Sequence, residues 1–294
     1  MNSADARIAC VQAANALLGE SPAWDSERRV LYWADVERAA IFRWDPDRGQ
    51  TGFWPMPELL GCIATTRRGR LIFAGAQGIG FFDPETGAIE RSAHPEAALP
   101  ENRFNDGKVD RLGRFWSGTM HVPGTRPSGS LYRLGHELTA QRMDRPFTCP
   151  NGIGWSPDNR TMYFTDSMAR TIWAYDFNLH SGTLGERRVF ARLADHDGLP
   201  DGLTVDCEGG VWSAVWDGWR VIRYAPSGAI EREIRMPVQR PTSCAFGGDD
   251  LATLFVTSAS FELDASALAR GPLAGALFSL CPGVAGLPET PFHD

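Results

Sequence analysis

Seven residues, NRFNDGK (102–108), bring together Arg103, Asn105, Asp106 and Lys108. Such a group can hold the hydroxyls or the carbonyl of a small polar molecule by hydrogen bonds. Other carboxylates and amides stand beside glycine or proline elsewhere: Glu20 in GESP, Asn151 in PNG and Asp201 in PDG. Taken singly, Asn and Asp before Gly are turn formers, because they bond to their own backbone nearby. Glu20 does not fit that description. Brought to one place, Glu20, Asn105, Asn151 and Asp201 would offer oxygen ligands to a hard divalent cation. Two carboxylates held close repel unless a proton or a cation sits between them. With three or four protein ligands, water or substrate would complete the shell, the open arrangement of a catalytic metal.

Glu20 and Asp201 are 181 residues apart, so the fold must gather them. Six segments share one pattern of a short apolar stretch, a polar turn and an apolar-aromatic strand. They begin at Glu20, Gly61, Asn105, Asn151, Asp201 and Thr242, spaced by 41, 44, 46, 50 and 41 residues. A third strand follows each segment, and a fourth follows the first five. Four short strands about every 45 residues predict an all-β, six-bladed propeller with four-stranded antiparallel blades. The sixth repeat lacks its last strand, and RIACVQ (7–12) is predicted to supply it, closing the sheet edge. The whole chain, 1–294, reads as one domain. Aligned in register, the six starts surround one mouth of the central channel, which places Glu20, Asn105, Asn151 and Asp201 on a common ring.

Composition narrows the class. The 294 residues are 43% hydrophobic with ten tryptophans, enough for a packed core. Net charge is −7 and there is one lysine, Lys108, so a phosphate-backbone partner is not expected. No run approaches a membrane span and the opening residues show no export signal, which together predict a cytoplasmic protein without membrane attachment. The six cysteines are widely spaced and read as free thiols. Competing motifs are weak. GIGWS puts Trp155 where a nucleophile elbow needs serine, GAQGIG opens a strand, DHDGLPDG lacks calcium-loop spacing, and no two histidines are spaced as zinc ligands.

GESPAW, NRFNDGKVDRLGRFWSGTM, NGIGWSPDNRTMYFTDS, PDGLTVDCEGGVW and PTSCAFGG, in this order from about residue 19 to the last blade, resemble the regucalcin (senescence marker protein)/gluconolactonase family. The resemblance implies a six-bladed propeller that binds one divalent cation in its channel and hydrolyses sugar lactones. By motif position it implies Glu20, Asn151 and Asp201 as metal ligands and Arg103 and Asn105 as substrate-binding residues. On chemical grounds Asp201 is also the expected general base, taking a proton from the attacking water. Ca²⁺ is the first choice of cation, with Zn²⁺, Mn²⁺, Mg²⁺ and Fe²⁺ as alternatives. The partner is then a small sugar lactone and the protein a monomer or small homo-oligomer. Animal members follow GTM with an acidic segment that supplies a substrate-contacting glutamate; here GTMHVPGTRPSG has His121 and no acid.

A histidine in such a Pro/Gly loop is expected to be solvated, although His121 could replace the missing contact. Lys108 lies three residues beyond the ring position, so strand alternation turns it away from Asn105, and a structural role between blades is expected. Asp106 reads either as a turn cap or as a group orienting a ligand. Two other functions compete with lactone hydrolysis: a calcium-binding regulatory propeller without catalysis, and a protein-binding scaffold.

Overall fold

The computed structural model describes residues 7–48 and 50–294; residues 1–6 and Gly49 of the predicted domain lie outside the described residues. Its strands form six four-stranded antiparallel sheets, one per blade, as the repeats predict. The inner strands are Gly19–Asp25, Leu60–Thr65, Asn102–Val109, Pro150–Trp155, Leu199–Val205 and Pro241–Gly247. Each continues outward through two further strands, and the outermost strands, such as Ile230–Arg235, are largely exposed. The sixth blade is completed by Ala9–Gln12, which pairs with Leu277–Leu280. This strand is the outermost of the sixth sheet, so the first described strand closes the ring by joining the last blade. A single short helix among the described residues, Ala265–Arg270, interrupts the sixth blade and is capped by the Asp264 carboxylate on Ala267 N at 2.7 Å. No helix of the described residues is long and apolar enough to cross a membrane.

Each blade is apolar on both faces because each face packs on a neighbouring blade. Six buried clusters mark the six blade-to-blade interfaces among the described residues. Trp24, Trp33, Phe42 and Phe255 join the first and last blades, while Trp116, Phe147, Trp155 and Phe164 join the third and fourth. The turns between strands are held by repeated side-chain caps. In the third blade Asp110 accepts from Leu112 N (2.9 Å), Arg114 Nε (2.7 Å) and Trp116 Nε1 (2.8 Å). In the fifth, Asp206 accepts from Glu208 N (3.0 Å), Gly210 N (2.8 Å), Trp212 Nε1 (2.7 Å) and Arg223 Nε (2.7 Å). Both carboxylates are fully buried, and such charge-assisted networks anchor the tryptophans in the core.

The pairing of every inner strand with its neighbour is broken by a register shift, and the shift always lies beside the ring position. It falls between Glu20 and Ala23, Leu60 and Cys62, Phe104 and Gly107, Pro150 and Ile153, Pro200 and Leu203, and Pro241 and Cys244. A bulge releases residues from the ladder and re-aims their side chains. In the first blade Ser21 adopts φ +52° to do so, a left-handed conformation unusual for a non-glycine residue.

The last residues have no counterpart in the repeats. They run along the channel end reached by the C-terminal ends of the inner strands. Gly286 N donates to Leu251 O (2.8 Å), Cys207 N to Ala285 O (3.0 Å), Phe292 N to Thr65 O (2.8 Å) and His293 N to Gly113 O (3.1 Å). Phe292 is fully buried against Phe81, and Asp294 pairs with Arg70 at 2.9 Å. Four blades are thereby tied to one segment. Phe292→Ala should lower the unfolding free energy by about 3–5 kcal/mol, read from urea denaturation. A change below about 1 kcal/mol would mean that the tail merely lies on the surface.

Candidate active site

The bulges turn the ring residues toward a cavity of about 170 Å³ at the opposite channel end from the tail. Glu20, Arg103, Asn105, Asn151 and Asp201 all line it. The glycines after Asn151 and Asp201 have φ values outside the left-handed region, so the turn-former explanation for these pairs does not hold. Close approach explains them instead. A Cβ on Gly152 would lie 2.3 Å from Leu203 N, and one on Gly202 would lie 2.1 Å from Ser243 Oγ. Only glycine lets adjacent inner strands come this close. Gly61 and Thr242, at the two remaining ring positions, do not line the cavity.

Glu20, Asn151 and Asp201 are buried. Burial, then the charges of Asp201 and Asp106, hold the Glu20 carboxyl well above the usual carboxylate range. Burial, then Asp106, does the same for Asp201. Glu20 Oε2 accepts from Ser21 N at 3.2 Å. Asn151 donates its Nδ2 to Ser167 Oγ at 3.1 Å. Asn151 Oδ1 and Asp201 Oδ1 receive no hydrogen bond from the protein although both are buried. A buried polar atom left unpaired costs about 1–3 kcal/mol, so two in one cavity, beside two mutually repelling carboxyls, fit a cation bound there. The donors are all oxygen and suit a hard divalent ion. No three His, Cys, Asp or Glu side chains among the described residues gather at a point suited to a metal; the set here is two carboxyls and an amide.

Arg103 and Asn105 sit at the rim. Arg103 Nη1 donates to Phe104 O and to Asn105 Oδ1, each at 2.8 Å, while Asn105 Nδ2 donates to Pro150 O at 2.8 Å. Burial lowers the Arg103 pKa from its ordinary value. Apart from Ser167, the rest of the wall is apolar: Leu18, Met120, Cys149, Met168, Leu199 and Trp216. Burial pushes the Cys149 thiol up to about 12, so it is a protonated wall residue and no nucleophile. Sequence reasoning passed over these side chains, although a signal existed. Leu18, Arg103, Cys149 and Leu199 each lie two residues before Glu20, Asn105, Asn151 and Asp201, on the same side of the strand by alternation.

Three neighbouring residues stand apart from the cavity. Asp106 lines a smaller space of about 20 Å³ with Lys108, Ser243 and Glu289. It accepts from Gly107 N at 2.7 Å and does not bond a ring residue. Burial, partly offset by Lys108, places its pKa at about 6. Lys108 donates to Leu203 O at 3.3 Å and pairs with Glu289 at 3.1 Å, linking the third blade to the fifth and to the tail. His121 is buried, not solvated. Its loop folds back, so that Arg126 Nη2 lies 2.8 Å from His121 Nε2 and Thr125 N lies 3.4 Å from Nδ1, and it does not line the cavity.

A family profile described as the SMP-30/Gluconolactonase/LRE-like region matches residues 18–260. The chain is 41% identical to an L-arabinolactonase of Azospirillum brasilense over 89% of this chain and 87% of that one. It is 38% identical to a 6-deoxy-6-sulfogluconolactonase of Pseudomonas putida over 97% of this chain and 98% of that one. Among solved structures, a regucalcin of Agrobacterium tumefaciens, described as a calcium-binding protein, superposes with a TM-score of 0.93 at 28% identity, covering 98% of each chain. The match to the profile spans all six inner strands and every residue of the ring, and on it this chain belongs to the SMP-30/gluconolactonase/LRE-like family.

Proposed function

We propose that this protein hydrolyses a sugar lactone, an aldonolactone, to the open sugar acid, with one divalent cation held by Glu20, Asn151 and Asp201. The observation that carries the reading is the pair of unpartnered buried oxygens, Asn151 Oδ1 and Asp201 Oδ1, in one cavity with the raised Glu20 and Asp201 carboxyls. The lactonase names of two relatives at 38% and 41% identity support the substrate class. Ca²⁺ is the first choice of cation, in keeping with the oxygen donors and the calcium-binding description of the Agrobacterium structure.

A cation in this place supplies a Lewis acid for the lactone carbonyl and its developing oxyanion. Arg103 and Asn105, at the rim, orient the ring by hydrogen bonds to its hydroxyls or carbonyl. Asp201 takes a proton from the attacking water through a carboxylate oxygen. The water oxygen bonds to the carbonyl carbon, the ring C–O bond breaks, and the proton passes to the departing ring oxygen. Burial and the Asp106 charge raise the proton affinity of Asp201; a bound cation lowers it, and the first offsets part of the second. The apolar wall excludes water from around the C–H faces of the ring and strengthens every polar contact below it.

Acid release from a panel of aldonolactones should be lost on chelation and restored by divalent cation; the absence of cation-dependent turnover on all of them would leave a calcium-binding propeller without catalysis. Asp201→Asn should cost about 10²–10⁴ in kcat and weaken cation binding, whereas Cys244→Ala, in the core between the fifth and sixth blades, should change neither.

The raised carboxyls also set a pH dependence for the chelated protein. Both folded pKa values lie above the unfolded ones, so folding retains its full stability below the ordinary carboxylate pKa. Stability then falls as pH rises through the shifted range. Thermal midpoints in chelator should therefore decline from about pH 4 upward. Divalent cation at a hundredfold excess over its Kd at pH 8 should stabilise by about 2.7 kcal/mol there, and the same concentration should stabilise less at pH 5. A flat profile in chelator would contradict the coupled buried pair.

A further inference from the structure

Bulging frees the ring residues from their own sheets, which leaves open what fixes them. The answer lies in the blade before each one. Thr242 Oγ1 of the sixth blade donates to Gly19 O, immediately before Glu20. Asn105 Nδ2 of the third donates to Pro150 O at 2.8 Å, immediately before Asn151. Ser167 Oγ of the fourth donates to Pro200 O at 2.7 Å, immediately before Asp201. Each bond crosses from one blade to the next and meets the carbonyl one residue upstream of a candidate ligand. At the ring positions that offer no candidate ligand the pattern differs. Ser21 Oγ of the first blade reaches Ile63 O at 3.0 Å, two residues downstream of Gly61, and Phe104 O, before Asn105, accepts from its own neighbour Arg103.

Ser167 has a second task. Its one hydroxyl proton goes to Pro200 O, so toward Asn151 it can only accept, and it does so from Nδ2 at 3.1 Å. That fixes the amide with its oxygen free, the atom that receives no other bond. Thr242 is fully buried, with Thr257 Oγ1 2.9 Å away.

We propose that Thr242 and Ser167 are positioning residues for the cation: their hydroxyls do not ligate, but latch Glu20 from one side and Asn151 with Asp201 from the other. The inference rests on the ligand set proposed above.

Cation binding by the whole chain tests it, with Mn²⁺ alone as probe, read by the electron paramagnetic resonance of free Mn²⁺, and Ca²⁺ alone by calorimetry. Thr242→Val, which keeps shape and removes the hydroxyl, and Ser167→Ala should each weaken binding about 10- to 100-fold, the usual cost of losing a group that orients a ligand. Thr242→Ser should restore wild-type affinity. Thr171→Val serves as a matched control. Thr171 is fully buried, and its hydroxyl donates to Ala169 O at 2.8 Å and accepts from Arg192 Nε at 3.0 Å. It neither lines the cavity nor bonds a residue before a candidate ligand. It should bind as wild type even where its thermal midpoint in chelator falls as far as those of the other variants. Unchanged affinity in both latch variants overturns the proposal, as does a Thr242→Ser protein as weak as Thr242→Val, or a control that loses affinity equally. If Thr242→Val does not fold, Ser167→Ala decides alone. Wild-type protein that binds neither ion refutes the ligand set itself, a result separate from wild type that binds and variants that match it.

Discussion

Two buried carboxyls that cannot move apart are the constraint around which this molecule is arranged. Glu20 and Asp201 come from the first and fifth blades, and a closed ring of six apolar interfaces fixes their separation. Both are buried, which raises the proton affinity of each; the Asp201 charge raises that of Glu20 further, and Asp106 raises both. A blade interface built from tryptophan and phenylalanine is stiff, close-packed material. A divalent ion bound as proposed would relieve the repulsion between the two carboxyls.

Stiff packing alone would not bring the two acids into one cavity. That takes the interruption in each inner strand, which swings the ring residue out of the pleat, and glycine at 152 and 202, which lets neighbouring strands draw together. Regular pairing resumes within two or three residues. The price of irregular backbone is therefore confined to the stretch where function needs it. Lys108 and Glu289 line the smaller space beneath, and the tail runs across the channel end opposite the cavity.

The architecture was legible in the chain because blade repeats are local patterns, and aligning them placed Glu20, Asn105, Asn151 and Asp201 at equivalent positions without any contact information. The bulges were not legible, since a register shift is a property of two strands and leaves no mark on one. Without them strand alternation still separated Lys108 from Asn105, and the two do line different spaces. His121 was misjudged for another reason: Pro and Gly around it signal a loop but not which way the loop folds, and Arg126 draws it back over the imidazole. The tail had no repeat partner to be compared with, so nothing marked Phe292 as core. The cross-blade bonds use threonine, asparagine and serine in turn, three unlike residues with no shared motif, so only the coordinates bring them out.

The placement of the wall residues has a consequence for how such proteins diversify. Leu18, Arg103, Cys149 and Leu199 lie in or just before the inner strands, each two residues ahead of a ring residue, and line the same cavity. Substitutions at these four sites would reshape the cavity wall without replacing Glu20, Asn151 or Asp201, the residues proposed to hold a cation. A change of sugar therefore calls for changes at positions other than Glu20, Asn151 and Asp201, and two relatives at 38% and 41% identity are named for different lactones.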